Sequence, residues 1–346
     1  MSLRFFDVHS ASDLPIQWPD VYFGPAYGRG AAAMERGAWE LAMWGDGEIL
    51  YPYVKRPIAG HEGLFDVVSP YGYSGIWGAD GVPRASWRRF RTAVRDALQS
   101  RGCVAEFLRI GTLLDGLDAL TDAAPEFTLR RHVDTIGVDV SAGYDAAWSA
   151  YESRGRRATK KGRRNGLVAS TRPFGDSDAM AGSAFRRQYD EVMDRVRARD
   201  YYRIVDESWS AWVDVDSHLI EVRDDDGALA ASVLLMGSRG FVHAHLGGTD
   251  RDAQRLGAGN VLYDAMVRHA ADRGGRLLHV GGSHAEGDGL HLFKRSFGRL
   301  RFAFYTASSV LQHQRYRQIT ARRAATCGRT SGDLEATGYF PAYRAA

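Results

Sequence analysis

The sequence has few cysteines and no long apolar run. Its two cysteines, Cys103 and Cys327, lie far apart and form neither a zinc-binding spacing nor a disulfide framework, which favours a reducing compartment. The opening residues 1–8 lack the apolar core of a secretory signal, and nowhere do about 18 apolar residues follow one another. We therefore expect a cytoplasmic protein, for which a lipid-borne substrate would require peripheral contact with a membrane.

The sequence also lacks a strong excess of charge. The formal net charge is +3 over 346 residues, so a nucleic-acid partner has to be inferred from local clusters of charge. A hydrophobic content of 45% and a charged content of 25% are typical of globular proteins. A chain of this length exceeds the usual size of one hydrophobic core, which predicts two domains.

Two segments have the pattern of a β-hairpin. Residues 39–54 contain two apolar runs separated by Gly45-Asp46-Gly47, and residues 219–236 repeat this arrangement around a turn rich in aspartate. A helical stretch follows each hairpin, at residues 86–101 and 260–273. This recurrence suggests that the two halves arose by duplication.

The second half alternates strands with helices. Strands are predicted at residues 241–246, 276–280 and 300–306, and a further helix at residues 289–297. Such alternation predicts an α/β fold in which helices cover mixed sheets.

One basic run separates the halves. Seven of the eleven residues 154–164 are basic and none is acidic. A helix is predicted at residues 144–152 and a strand at residues 167–170, so the run is expected at a helix end and in a loop. We place the domain boundary there, which gives an N-terminal domain of residues 1–160 and a C-terminal domain of residues 161–346.

The basic run is a candidate surface for a phosphate backbone. Clustered arginines and lysines bind nucleic acid without reading its sequence, although such runs also form ordinary solvated surface. The candidate donor-binding residues here are Arg157, Lys160, Lys161, Arg163 and Arg164.

The segment Gln254–Gly259 follows a predicted strand and opens a predicted helix. Glycines at such a place let backbone amides approach a pyrophosphate, and the start of the helix favours negative charge. Gln254, Gly257 and Gly259 are therefore candidates for binding the donor, in the manner of the coenzyme A loop of GNAT acetyltransferases, which this segment resembles. A loop that merely turns the chain is the alternative.

Phe293 and Lys294 are the candidate catalytic residues. On a helix, Leu290, Phe293 and Phe297 share one face, and Lys294 lies about 40° from Leu290 on that face. A lysine on this face has two possible environments. Either it is held in a poorly solvated pocket, where its pKa falls, or its aliphatic stem packs along the edge of the core.

Three further sets of residues are candidates for binding the acceptor. Tyr71 and Tyr73 lie in the turn-rich segment 69–75, and Arg199 and Tyr202 lie in a segment rich in arginine and tyrosine. His243 and His245 are two residues apart on a predicted strand and so would face one side. No third ligand accompanies these histidines, and we expect no metal site.

Several motifs together resemble the bacterial Fem-like aminoacyltransferases and their GNAT relatives. Ser69-Pro-Tyr-Gly-Tyr73 and residues 157–166 carry the resemblance in the first half and at the junction. In the second half it is carried, in order, by His243-Ala-His-Leu-Gly-Gly-Thr249, Leu278-His-Val-Gly-Gly282, Leu292-Phe-Lys-Arg-Ser-Phe-Gly298 and Gly338-Tyr-Phe-Pro-Ala-Tyr-Arg344.

The resemblance implies two tandem GNAT-like domains and transfer of an amino acid from aminoacyl-tRNA to an amine, typically on a peptidoglycan precursor. It places Phe293 and Lys294 near the ester of the donor and requires no tightly bound cofactor. Lys294 would then stabilise the oxyanion or assist departure of the ribose hydroxyl.

Two departures leave the acceptor open. The helical arm that some Fem-like enzymes carry between their repeats has no counterpart around residues 150–166, and the Arg-Gly-Pro sequence associated with the nucleotide-precursor site is absent. A small natural-product intermediate is therefore a second class of acceptor. An acyl-coenzyme A N-acyltransferase and an RNA-binding module are the alternative functions, and a monomer is expected.

Overall fold

The structure, a computed structural model, describes residues 2–114, 116–238 and 240–345. The strands are β1 (Leu3–Asp7), β2 (Ala38–Trp44), β3 (Ile49–Pro57), β4 (Phe65–Val68), β5 (Trp77–Gly78), β6 (Cys103–Gly111), β7 (Thr128–Arg131), β8 (Thr135–Asp139), β9 (Val168–Pro173), β10 (Ser217–Arg223), β11 (Leu229–Ser238), β12 (Phe241–Thr249), β13 (Leu277–Gly281), β14 (Leu300–Phe302) and β15 (Phe304–Val310).

The α-helices are α1 (Val8–Ser12), α2 (Pro25–Met34), α3 (Arg84–Ser100), α4 (Leu117–Ala123), α5 (Tyr144–Ala150), α6 (Ser153–Arg164), α7 (Asp176–Ala179), α8 (Ala184–Arg195), α9 (Asp206–Ala211), α10 (Ala253–Leu256), α11 (Ala258–Asp272), α12 (Gly289–Arg295), α13 (His313–Thr326) and α14 (Ser331–Ala336). Short 3-10 turns are formed by Val21–Phe23, Asp200–Tyr202, Trp212–Asp214 and Ala342–Arg344. Among the described residues, no helix combines the length and the apolar character that crossing a bilayer requires.

The chain forms two compact units. Unit 1 comprises residues 1–17, 22–132 and 304–346, and unit 2 comprises residues 18–21 and 133–303. The boundary predicted at residue 160 differs from this division. Residues 133–160 contribute β8, α5 and α6 to unit 2, whereas β15 near the C-terminus returns to the sheet of unit 1.

Unit 1 is built on a mixed sheet with the order β1-β2-β3-β4-β6-β15-β7, in which β5 also pairs with β3. The predicted hairpin is confirmed, since β2 and β3 pair antiparallel across the turn at Gly45-Asp46-Gly47. Helix α3 confirms the predicted helix and precedes β6, which runs parallel to β4. Buried Arg91 on α3 ties the helix to the sheet through its ion pair with Glu106 on β6.

Unit 2 is built on a mixed sheet with the order β14-β8-β13-β12-β11-β10-β9. The second predicted hairpin is confirmed by the antiparallel pair β10 and β11. Strand β12 then leads through α11 to β13, which runs parallel to β12. Helix α11 buries Val261, Leu262, Met266 and Val267 in the core of the unit, as its apolar spacing requires.

The two units share one topological order. In each, antiparallel strands are followed by a long helix and then by a strand parallel to the last of them: β2-β3-β4-α3-β6 in unit 1 and β10-β11-β12-α11-β13 in unit 2. The α/β fold class and the recurrence of the halves are thereby confirmed.

Two predicted elements differ from the structure. The strand predicted at residues 300–306 is divided, because residues 300–302 pair with β8 in unit 2 and residues 304–310 pair with β6 in unit 1. The basic run is a helix, α6, and not a helix end followed by a loop. Small residues at Gly155, Thr159 and Gly162 form one buried face, which lets α6 pack closely on unit 2.

Candidate active site

A cavity of about 680 Å³ opens in unit 2 where two parallel strands part. Strand β12 pairs with β13 only from Phe241 to His243, and the rest of β12 diverges. The first turn of α11 closes the same end, at the carboxyl ends of the two parallel strands, where ligands bind in α/β sheets. The cavity is lined by Val192, Ser232, Val233, residues 244–249, Gln254, Gly259, Asn260, Leu262, Tyr263, Met266, Val280, Leu290, Phe293 and Lys294.

Lys294 is the one residue with a charged side chain among the described residues that line this cavity. It is 8% exposed, and its Nζ donates a hydrogen bond of 2.5 Å to the carbonyl oxygen of Gly282, just beyond β13. Burial lowers the pKa of Lys294 to about 8, while the carboxylate of Asp288 opposes that shift. The ammonium is therefore positioned and incompletely solvated.

Asp288 is itself held in place at the start of α12. Its Oδ1 accepts the backbone N–H of His291 at 2.6 Å, and its Oδ2 accepts the backbone N–H groups of His284 and Ala285. These bonds lower the pKa of Asp288, the His291 bond most. The carboxylate thus caps α12, the helix that carries Phe293 and Lys294.

Phe293 packs among aromatic rings beside Lys294. Its ring meets Tyr263 at 4.8 Å and Phe297 at 5.4 Å between centroids. Of the predicted apolar face, Phe297 lies two residues past the end of α12 and is 1% exposed, whereas Leu290 is 42% exposed. Leu290 lies in the first turn of a short helix, at the rim of the cavity.

The segment Gln254–Gly259 is divided between two roles. Gln254 and Gly259 line the cavity, as predicted for donor-binding residues. Gly257 instead adopts φ +99° between α10 and α11, and a methyl group on it would lie 3.1 Å from the carbonyl oxygen of Ala158 on α6. The structure therefore gives Gly257 a packing role.

Helix α6 presents the basic run to solvent. Arg157, Lys160 and Arg164 are exposed, on the side away from the buried small residues. The helix adjoins both elements that carry the candidate site. Lys161 Nζ donates to the carbonyl oxygen of Arg255 at 3.3 Å, and Arg154 donates to the carbonyl oxygen of Leu292 at 2.6 Å.

Arg163 differs from the other basic residues of α6. It forms an ion pair with Asp264, a carboxylate only 2% exposed on α11, and its guanidinium lies over the ring of Trp148. Tyr144 also donates to Asp264, at 2.9 Å. Burial raises the pKa of Asp264 despite these partners. The structure thus ties Arg163 to the core, contrary to a role in which it only contacts the donor.

The two histidines on β12 do not share one environment. The register shifts within β12, so that Ala244 and Leu246 pair with successive residues of β11 and His245 lies at the bulge between them. This bulge turns His245 toward the cavity, where burial lowers its pKa to about 3. The prediction that both histidines face one side assumed a regular strand and is wrong.

His243 lies in a buried hydrogen-bonded chain and does not line the cavity. Its Nε2 is 2.9 Å from Asp20 Oδ2, and its Nδ1 is 3.2 Å from Nδ1 of His279. His279 Nε2 is in turn 2.7 Å from the hydroxyl of Thr135. Burial lowers the pKa of His279 well below its usual range. The chain connects β12, β13 and β8 inside unit 2.

The remaining candidate acceptor residues lie outside this cavity. Tyr71 and Tyr73 belong to unit 1, where Tyr27 donates to the carbonyl oxygen of Tyr71 at 2.8 Å and Tyr73 packs on Phe304. Arg199 and Tyr202 belong to unit 2, where Arg199 precedes and Tyr202 ends the 3-10 turn Asp200–Tyr202, and both are exposed. The structure brings only His245 of the predicted acceptor residues into the cavity.

Four polar residues that line the cavity were not predicted from the sequence, and one of them, Ser232 on β11, donates to Gln188. Asn260 and Tyr263 lie on the first turns of α11, and Thr249 ends β12. Their positions at the end of a strand and the start of the next helix are the signal that could have found them. Among the described residues, no group of His, Cys, Asp and Glu is arranged to hold a metal ion.

Comparisons with known proteins concern both the domain and the whole chain. A family model described as acetyltransferase (GNAT) domain matches residues 149–295. The crystal structure of FemX is similar with a TM-score of 0.69 and 12% identity, covering 91% of this chain and 99% of FemX. No curated protein sequence gives a significant match.

Two further solved structures are similar. The C-terminal domain of a candidate lysylphosphatidylglycerol synthetase from Agrobacterium fabrum has a TM-score of 0.57 at 15% identity and covers 87% of this chain and 91% of its own. L-PGS from Bacillus licheniformis has a TM-score of 0.53 at 13% identity and covers 82% of this chain and 85% of its own.

At these identities the likeness is one of fold. The GNAT match lies entirely within unit 2, and unit 1 repeats the same order of strands and helix. The chain therefore has a fold of two GNAT-like units, similar to that of FemX.

Proposed function

We propose that this protein is an aminoacyltransferase that takes an amino acid from aminoacyl-tRNA and forms an amide bond with an acceptor amine. The observation that carries this proposal is Lys294, a buried ammonium in a cavity whose other described lining residues carry no formal charge at neutral pH. A cation in a poorly solvated site stabilises a developing oxyanion far better than one in water. The acceptor is an amine on a cell-wall precursor or on a small natural-product intermediate.

The reaction needs one bond formed and one bond broken. The neutral acceptor nitrogen attacks the ester carbonyl carbon, and the oxyanion that forms is stabilised by the Lys294 ammonium. The bond from that carbon to the ribose oxygen then breaks, and one proton passes in net from the attacking nitrogen to the leaving oxygen. Lys294 protonates that oxygen and regains a proton as the nitrogen loses one.

The basic helix favours a tRNA donor. Arg157, Lys160 and Arg164 are exposed on α6, and α6 contacts both the α10–α11 segment and α12 beside the cavity. A phosphate backbone lying along α6 would be next to the elements that hold Gln254 and Lys294. The same helix is not required by a small thioester donor.

An acyl-coenzyme A donor is the second candidate. The first turn of α11 faces the cavity through Gly259 and Asn260, and such a helix start binds a pyrophosphate. The match of residues 149–295 to a GNAT acetyltransferase domain favours this donor as well.

A donor assay distinguishes the two candidates. Purified protein is incubated with a panel of amines and either a set of charged tRNAs or acetyl-coenzyme A, and amide products are detected by mass spectrometry. We expect products from charged tRNA that disappear after ribonuclease treatment. Products that persist after ribonuclease and require coenzyme A would reject the tRNA donor.

A charge-matched pair of variants tests the basic helix. We expect the triple variant Arg157→Gln, Lys160→Gln and Arg164→Gln to weaken tRNA binding and to reduce the slope of log affinity against log salt by roughly 2 to 3. The control carries Arg84→Gln, Arg88→Gln and Arg89→Gln on the exposed side of α3 and should keep the wild-type slope. Equal slopes in both triple variants would remove α6 from the donor site.

A further inference from the structure

Unit 1 contains a second cavity, of about 550 Å³, that the acyl-transfer proposal does not use. Its walls come from the turn after β3, from α13 and from the 3-10 turn Ala342–Arg344. Three arginines and one histidine line it: Arg322, Arg323, Arg344 and His61. No carboxylate is among its described lining residues.

The three arginines differ in how they are held. Arg344 is fixed, because its Nε donates to buried Asp66 at 2.6 Å and its Nη2 donates to the carbonyl oxygen of Pro57 at 2.9 Å. Asp66 is shared with Arg56, whose Nε donates to it at 2.7 Å. Asp66 therefore faces two guanidinium groups, and Arg56 also pairs with buried Glu35 at 2.7 Å.

Arg322 and Arg323 form no ion pair with any carboxylate in the described part of the chain. Arg322 reaches the carbonyl oxygen of Gly60, and Arg323 reaches that of Ala345, each at 3.4 Å. A guanidinium has five N–H donors, so these long single bonds leave most of them for a ligand. Such a cluster matches the oxygens of a phosphate group.

Buried apolar side chains form another part of the cavity wall. Ile58, Ile319 and Tyr343 line it and belong to one core cluster, with exposures of 4% to 7%. The cavity therefore offers an apolar wall next to its arginines, which suits a ligand with a phosphate at one end and an uncharged body.

We propose that this cavity binds the phosphate group of a phosphate ester through Arg322, Arg323 and Arg344. A soluble phosphorylated molecule and the headgroup of an anionic lipid present the same chemistry, and the experiment separates them. The inference concerns unit 1 alone and holds whichever donor unit 2 uses.

The probe is inorganic pyrophosphate added to the full-length protein at low ionic strength. Binding is measured by calorimetry, and hydrogen exchange with mass spectrometry shows where the backbone becomes protected. We expect saturable binding with slower exchange in residues 58–64 and 313–326. Protection confined to unit 2, or no saturable binding, would overturn the proposal.

Two double variants of α13 carry the same change in charge. The double variant Arg322→Gln and Arg323→Gln should lower the affinity for pyrophosphate at this site at least about tenfold, because each substitution removes charge-assisted hydrogen bonds. The site is identified by the protection of residues 58–64. Arg315→Gln with Arg317→Gln, which are exposed outside the cavity, should change that affinity less than about twofold. Equal losses in both would show general attraction to a basic helix and would overturn the site.

Arg344 is left unchanged in these variants, because its removal would leave buried Asp66 without this partner and disturb folding.

Two further comparisons identify the source of the phosphate. Nucleoside diphosphates are compared with pyrophosphate, and vesicles of phosphatidylglycerol with vesicles of phosphatidylcholine. Tighter binding of the nucleoside diphosphates than of pyrophosphate would identify a soluble phosphate ester. Binding of the protein to the anionic vesicles alone would identify a lipid headgroup, and either result supports phosphate recognition. Failure of both overturns it.

Discussion

Under the proposed function, Lys294 would serve catalysis at the expense of stability. Its ammonium lies in a site where burial lowers its pKa to about 8, and its Nζ is bonded to the carbonyl oxygen of Gly282. A charged group in such a site destabilises the folded state relative to water. The same property would make the proposed stabilisation of an oxyanion effective, because little water competes for the ammonium.

Replacing Lys294 by methionine should therefore stabilise the protein at neutral pH. We expect a gain on the order of 2 kcal/mol, the cost of the buried cation less the lost bond to Gly282. The folded pKa is below the unfolded one, so the gain is full below pH 8 and shrinks as pH rises toward the usual lysine pKa. Urea unfolding at pH 7 and pH 10 measures it, and a clear loss of stability at pH 7 would contradict this account.

The pH dependence of turnover should report the same ammonium. Lys294 is cationic below a pKa of about 8, so kcat should fall as pH rises through that value, after any rise caused by deprotonation of the acceptor amine. Lys294→Arg should keep a residual rate without the alkaline fall, because arginine stays charged. A wild-type kcat that climbs steadily to pH 10 would exclude the cation from the transition state.

At the scale of elements, the close packing of α6 fixes the position of the basic surface. Gly155 lies on the backbone of Ser296, and Gly162 lies on the segment that opens α11. A methyl group at Gly162 would come within 2.7 Å of Val261 Cγ2 and 3.0 Å of the carbonyl oxygen of Gly257. The glycines let a helix rich in arginine lie directly beside the elements of the cavity.

Gly162→Ala should destabilise the protein although alanine is the better helix former. We expect a loss of roughly 1–3 kcal/mol from overpacking against Gly257 and Val261. Gly332→Ala on α14 is the matched control, since only Thr330 Oγ1, at 3.7 Å, is close, and it should be neutral or stabilising by up to about 1 kcal/mol. Chemical denaturation measures the free energy of unfolding of both variants. Equal effects would show that Gly162 is not closely packed against Gly257 and Val261.

Elements with a strong local pattern could be predicted from the sequence, and those decided by distant partners could not. The hairpin at residues 39–54 and helix α11 follow from apolar spacing and turn residues, and both are confirmed. The division of residues 300–306 between two sheets has no local signal, because the pairing partners decide it. Helix α6 was not predicted over its full length, because the run was interpreted by its charge and the helical spacing of its small residues was not used.

The candidate site could be predicted only in part, for the same reason. One cavity is lined by five residues that were predicted from helix periodicity and motif position: Phe293, Lys294, Gln254, Gly259 and His245. The bulge that separates His245 from His243 shifts the register of β12 against β11, and the sequence of β12 alone does not reveal it. Gly257 and Arg163, which were predicted to bind the donor, do not line this cavity, since Gly257 packs on α6 and Arg163 pairs with Asp264.

At the scale of the whole molecule, buried neutral histidines should make the protein sensitive to acid. Burial lowers the pKa of His245 to about 3 and holds that of His279 well below its usual range. The unfolded chain takes up protons on these residues below pH 6.5, where the folded chain does not, so their contribution is full above pH 6.5 and is lost as pH falls.

The free energy of unfolding should therefore fall between pH 6.5 and 4.5, with a slope that approaches roughly 2–3 kcal/mol per pH unit from these two histidines. His245→Gln should remove about half of the contribution of these two histidines. His313→Gln, a change at an exposed position, should leave it unaltered. Denaturant titrations at several pH values measure the slope, and a flat profile would mean that these histidines are protonated in the folded state.

The central claim is that the cavity holding Lys294 is the centre of acyl transfer. The most direct test compares turnover of charged tRNA by the wild type, by Lys294→Met and by Lys55→Met, a change to a lysine of unit 1, with circular dichroism to verify that each variant is folded. Loss of one positioned electrostatic group predicts a fall in kcat of about 10² to 10³ for Lys294→Met, and a rate close to wild type for Lys55→Met. Wild-type turnover by a folded Lys294→Met variant would contradict the claim.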